Sequence, residues 1–143
     1  MSLRLFTVYG PRQRPDMALS RLVDCAVSGQ PFLLYGDGEQ TRDLSYVDDV
    51  VGALRLAALS PWTGVANIGG GDRPTLNKVV ELVSRFAGPV DVIRLPVQPG
   101  DVRHTAADAT LAREAFGYAP RVHVEDGVAK MVRAAADRVL EDV

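Results

Sequence analysis

A chain of 143 residues has room for one domain with a real core and too little for two ordinary ones. Apolar residues make up 47% and charged residues 24%, which excludes a disordered chain. The net charge of −2 excludes a general pull on nucleic acid or anionic membrane, so any anion site has to be built from a few placed arginines.

In chain order, "RLFTVYG" (4–10) predicts a buried strand that starts abruptly and runs into the loop "GPRQRPD". Asp16 is placed to cap a helix whose apolar stripe is Leu19, Leu22, Val23, Ala26 and Val27, and Gly29 stops it. "PFLLYG" (31–36) reads as a short strand, "DGEQ" as a turn and "TRDLS" as another extended piece. Ser45 and Asp48 form an S-x-x-D capping pattern before a helix with Val47, Val50, Val51, Leu54 and Ala58 on one face, ended by Pro61. "GVANIG" (64–69) is a strand. Thr75 caps a helix that turns Leu76, Val79, Val80, Val83 and Phe86 inward. "PVDVIRLP" is a further strand. A short helix around "DATLAREAFG" precedes a last one, about 124–140, carrying Val128, Met131, Val132, Ala135 and Val139. The longest irregular stretch is "PVQPGDVRHTA" (96–106), and loops of that length in small domains are often functional. The alternation predicts a mixed α/β (α+β) lobe, 1–143, with a small sheet and several helices.

The residues narrow the chemistry. Lys78 and Lys130 are the only lysines beside 14 arginines, as in a GC-rich genome, and a lysine-dependent site has only those two candidates. Cys25 stands alone among apolar neighbours and reads as a buried small hydrophobe, which points to a reducing, cytoplasmic compartment. His104 and His123 have no partner at metal-ligand spacing. No apolar run reaches membrane length, and no secretory leader opens the chain. "NIGGGDRP" places glycines between a strand and a helix, but without the G-x-G-x-x-G spacing, so Gly69–Gly71 read as turn glycines and not as a phosphate cradle. Tyr9, Tyr35, Tyr46 and Tyr118 are followed four residues later by Gln13, Glu39, Val50 and Val122, never by lysine.

Four segments in series, "RLFTVYGPRQRPDM", "YGDGEQTRDLSYVDDV", "NIGGGDRPTL" and "LPVQPGDVRHTAAD…AREAFGY", resemble the C-terminal half of the extended short-chain dehydrogenase/reductases. Within that group they are most similar to the NAD-dependent nucleotide-sugar epimerase/dehydratase family, especially UDP-glucose and UDP-glucuronate 4-epimerases. The resemblance covers nearly the whole chain. It implies a substrate-binding lobe whose partner half, a Rossmann domain with the NAD loop and the catalytic Tyr-x-x-x-Lys, is not in this sequence. NAD is then the cofactor of the full-length family and is not expected to bind this chain alone. A UDP-sugar is the expected ligand, and the isolated chain is expected to be inactive, with no catalytic residue of its own. The face that would pack on a missing domain is expected to promote self-association.

Residue by residue, the resemblance implies that Arg42 of "TRD" pairs with the diphosphate; spacing alone favours an exposed ion pair with Asp43. Arg14 matches a second arginine that reaches the nucleotide, with Arg12 left in solvent. Leu33 offers backbone groups to the uracil edge, and Tyr35 packs beside the base or simply within its strand. Asp101 matches the acid that hydrogen-bonds the ribose hydroxyls. Gln98 stands where many 4-epimerases carry a diphosphate-binding arginine, and Arg103 is placed either to compensate or to be a loop surface charge. Thr7, in "FTVYG", matches the UDP-glucuronate epimerases, where it helps hold the sugar carboxylate; otherwise it is a β-branched strand residue. Two further readings stay open: a stand-alone UDP-sugar-binding module without turnover, and the lobe of a related dehydratase or decarboxylase.

Overall fold

A computed structural model of the chain describes residues 1–141. Its strands are β1 (Ser2–Leu5), β2 (Val8–Tyr9), β3 (Phe32–Tyr35), β4 (Ser45–Tyr46), β5 (Val65–Ile68) and β6 (Val92–Leu95). Its helices are α1 (Ala18–Ser28), α2 (Val47–Leu59), α3 (Leu76–Ala87), α4 (Thr110–Phe116) and α5 (Val124–Glu141). The mixed α/β class is as the sequence predicts. The strands form three separate parallel pairs, β1 with β5, β2 with β4 and β3 with β6, in place of one small sheet. Leu3 lies opposite Ala66, Val8 opposite Ser45 and Leu33 opposite Ile93. Parallel partners need a crossover between them, so each pair ties together distant parts of the chain.

Two apolar clusters fill the lobe. In the first, Leu22 and Val23 of α1, Leu82 and Val83 of α3 and Val128 and Met131 of α5 close over Phe32 and Leu34 of β3, with Tyr9 and Tyr46 edge to face at 5.5 Å. In the second, Val50, Ala53 and Ala57 of α2 meet Ile68 of β5 and Ala112, Phe116 and Tyr118 around α4. Gly29, at φ 68°, ends α1 in the left-handed region, and Thr75 caps α3 by accepting from the Lys78 amide at 3.1 Å.

Several expectations need correction. "RLFTVYG" breaks at Phe6 and Thr7 into β1 and β2, and β1 is largely exposed because β5 is its only strand neighbour among the described residues. Asp16 does not cap α1; Met17 holds that position with no side-chain bond. Ser45 does not cap α2 either. It lies inside β4, its hydroxyl buried and unpartnered, and Tyr46 precedes the helix. The inward face of α2 is rotated from the one read off the sequence: Val51 and Leu54 are exposed, while Asp49, Ala53 and Ala57 are buried. The cause is Asp49, whose carboxylate accepts the Arg121 and Val122 amides at 3.1 and 3.0 Å and so pins the helix about its axis. On α3, Leu82 takes the buried place expected for Phe86, which is exposed, as is Val139 on α5. Cys25 is half-buried, its Sγ 3.5 Å from the Pro31 carbonyl.

Candidate nucleotide-sugar site

The site grows out of residues 36–44. Gly36 and Gly38, each at φ 80°, turn the chain after β3, and Asp37 Oδ1 accepts the Glu39 amide at 2.9 Å across the turn. The chain then extends between two other segments. The Thr41 amide donates to the Arg103 carbonyl at 3.0 Å, the Thr105 amide to the Thr41 carbonyl at 3.2 Å, and the Leu44 amide to the Asp72 carbonyl at 3.0 Å. Alternation along this extended piece sends Gln40, Arg42 and Leu44 one way and Asp43 the other.

Asp43 is fully buried. Its carboxylate accepts the Gly70, Gly71 and Ala107 amides at 2.9, 3.3 and 2.9 Å. The exposed Arg42–Asp43 ion pair, one of the two sequence readings of Arg42, is therefore excluded. Gly69–Gly71 do form a nest of amides, but one filled by the protein's own carboxylate. A Cβ on Gly70 would strike the Leu44 carbonyl, which is why glycine is required there. Tyr118 stacks beneath this knot, its hydroxyl donating to the Gly69 carbonyl at 2.9 Å, and burial pushes its phenol up to about 12.

Arg42 faces a cavity of about 220 Å³ whose walls include Thr7, Gln13, Met17, Gln40, Leu76 and Asp101. One Arg42 nitrogen donates to the Thr41 carbonyl at 2.9 Å and the other to Asp101 Oδ1 at 2.5 Å. The fork is thereby aimed, with a single carboxylate facing it. A second, more open cavity of about 550 Å³ adjoins the first at Thr7, Gln13 and Met17 and reaches Arg14. Arg42 and Asp101 line the first cavity, Arg14 lines the second, and Thr7 lines both.

The structure thus brings Thr7, Arg42 and Asp101 to one cavity. Arg14 lies at the far rim, exposed, 3.3 Å from Asp16. Leu33 and Tyr35 sit on β3. The Phe32 amide donates to the Asp91 carbonyl just before β6 at 2.8 Å and the Gly36 amide to Leu95 of β6 at 2.9 Å, so the Leu33 and Tyr35 backbone groups face the opposite edge. On that edge the Tyr35 carbonyl accepts from Gln40 at 3.0 Å. Gln98 and Arg103 do not line the cavity. The Gln98 carbonyl closes a turn by accepting the Asp101 amide at 3.3 Å, and Arg103 points at Asp37. Arg103 and the Glu39 amide hold the Asp37 carboxyl below the usual carboxylate range. Sequence reasoning missed Gln40, whose signal was its spacing of two from Arg42 on an extended piece, and Gln13, whose side chain donates to the Val8 carbonyl at 2.7 Å.

Residues 1–69 match the NAD dependent epimerase/dehydratase family. The chain is 39% identical over 152 aligned positions to a probable UDP-glucuronate 4-epimerase of Rhizobium meliloti (strain 1021), covering 92% of this chain and 45% of the relative. Its fold matches the UDP-glucuronic acid 4-epimerase of Bacillus cereus, solved with UDP-glucuronic acid and NAD, at a TM-score of 0.91 and 34% identity, over 95% of this chain and 45% of that one. The chain is thus similar over nearly its whole length to nucleotide-sugar 4-epimerases, and nearly half of it matches the NAD dependent epimerase/dehydratase family model. A UDP-glucuronate 4-epimerase of Thermodesulfobacterium geofontis (strain OPF15), 32% identical, is covered to 43%. The chain thus spans a little under half the length of the epimerases it matches. NAD is the family's cofactor, and the glycine run that follows β5 is no cradle for its pyrophosphate, because the Gly70 and Gly71 amides already donate to Asp43. No helix among the described residues is long and apolar enough to cross a membrane.

Proposed function

We propose that this chain is the UDP-sugar-binding lobe of an NAD-dependent nucleotide-sugar 4-epimerase, and that the hydride chemistry belongs to residues outside this sequence. The observation that carries the reading is Arg42 and Asp101 facing each other in one cavity, with Thr7 where that cavity opens into the second. Asp101 neutralises Arg42. An incoming diphosphate offers the same planar guanidinium two oxygens and more charge, so it displaces Asp101 from Arg42. Asp101, released beside it, becomes an acceptor for ribose hydroxyls. The Leu33 N–H and C=O, on the open edge of β3, are a donor and acceptor pair for the uracil edge. The sugar then lies towards Thr7 and Arg14. A hydroxyl and a guanidinium there suit a sugar carboxylate, so UDP-glucuronate is favoured over UDP-glucose.

The isolated chain is expected to bind without turnover. Calorimetric titration with UDP, beside the Arg42→Ala variant, tests the reading. Loss of a charge-assisted bidentate contact should weaken UDP about tenfold or more. Equal affinity in the variant, or no binding to the wild type, contradicts it.

A further inference from the structure

Arg103 is the arginine in the "PGDVR" loop that the sequence left either to the diphosphate or to the loop surface, and it turns to Asp37 and away from the cavity. We infer that Arg103 and Asp37 form a latch that positions Asp101 at the nucleotide site. Both Arg103 nitrogens meet both Asp37 oxygens, at 3.2 and 2.8 Å, in a fork-on-fork pair. A lone surface ion pair contributes little, because two long side chains must be ordered to make it. Here one partner is already ordered. The Asp37 carboxylate closes the glycine turn, and its carbonyl accepts from Asn77 of α3 at 3.0 Å and from Arg94 of β6 at 2.8 Å. Arg94 in turn donates to Asn77 at 3.0 Å. The turn is a fixed post.

The backbone of Arg103 ties the same post to the site. Its carbonyl accepts the Thr41 amide at 3.0 Å and an Arg42 nitrogen at 3.4 Å. Arg103 therefore joins turn 36–39, the extended piece carrying Arg42, and the loop 96–106. Upstream of it, residues 96–101 are exposed, with Val97 67% exposed, and apart from the 98–101 turn the bond that reaches the rest of the lobe is Asp101 to Arg42. Asp37 and Arg103 are positioning residues: they touch no ligand and act through Asp101 and Arg42.

The inference rests on the cavity being the nucleotide site, and its test separates the two. UDP affinity is measured by calorimetry for the wild-type chain and for Asp37→Asn, Arg103→Lys, Arg103→Ala and the Asp37→Asn/Arg103→Ala double variant, with thermal unfolding of each. Asn keeps the acceptor that closes the turn while removing the charge. A latch predicts that Asp37→Asn and Arg103→Ala each weaken UDP about three- to fivefold, that the double variant is no worse than either, and that Arg103→Lys recovers part of the loss, all at an unchanged unfolding temperature. If Arg103 itself held phosphate, Asp37→Asn would free it and UDP binding would stay equal or tighten, which overturns the latch. Wild-type affinity in every variant overturns it too, as does a loss tracked by a fall in unfolding temperature. A wild-type chain that does not bind UDP at all removes the nucleotide site, and the latch with it.

Discussion

Arg42 and Asp43 are adjacent in sequence and do opposite work. Arg42 is presented to a cavity and pairs there with Asp101. Asp43 is withdrawn into the protein, where three backbone amides from two other segments converge on it. The second fixes the first: by anchoring the extended piece, Asp43 decides which way residue 42 points. Truncating Asp43 to alanine leaves the Gly70, Gly71 and Ala107 amides without this acceptor and opens a hole where a fully buried carboxylate sat. It should cost about 3 kcal/mol or more of stability, read as a lower urea midpoint with little change in slope. Arg42 was legible in the sequence because its chemistry and its motif agree. Asp43 was not. A carboxylate ordinarily signals surface, and its donors lie 27 to 64 residues away, joined to it only by the fold.

At the scale of elements, starts and stops divide by how local their cause is. Gly29, Pro61 and Thr75 act on their own turns, and each marked a boundary that the structure keeps. The starts of α1 and α2 were misread because Asp16 and Ser45 match a local pattern while neither side chain makes the capping bond. The turned face of α2 has a distant cause, the Arg121 and Val122 amides that Asp49 accepts. That assignment makes a sharp contrast within one helix. Val51→Lys should change stability by less than about 0.5 kcal/mol, since that side chain is exposed. Ala53→Leu, two residues on, should cost about 1–3 kcal/mol by overpacking against Ile68 and Tyr118. Thermal or urea unfolding of the pair checks it. Equal effects would restore the face read from the sequence.

For the molecule as a whole, the class of fold was legible, as were three residues that line one cavity, Thr7, Arg42 and Asp101, and the arrangement of the strands was not. Short apolar runs separated by helices predict α/β, but they carry no register, and three two-stranded pairs have the same local signature as one small sheet. Thr7 of "FTVYG", Arg42 of "TRD" and Asp101 of "PGD" come from different segments and line one cavity together with Leu19 of α1 and Leu76 and Val79 of α3. Gln98 and Arg103 show the limit of motif reading, since a loop places residues by anchors that the motif does not contain. The most direct test of a UDP-sugar lobe is a crystal structure of this chain with UDP-glucuronate bound. The account predicts diphosphate oxygens on Arg42 in place of Asp101, the uracil along the Leu33 edge of β3, and the sugar towards Thr7 and Arg14. A nucleotide bound elsewhere, or an Arg42–Asp101 pair left intact beneath it, would contradict the account.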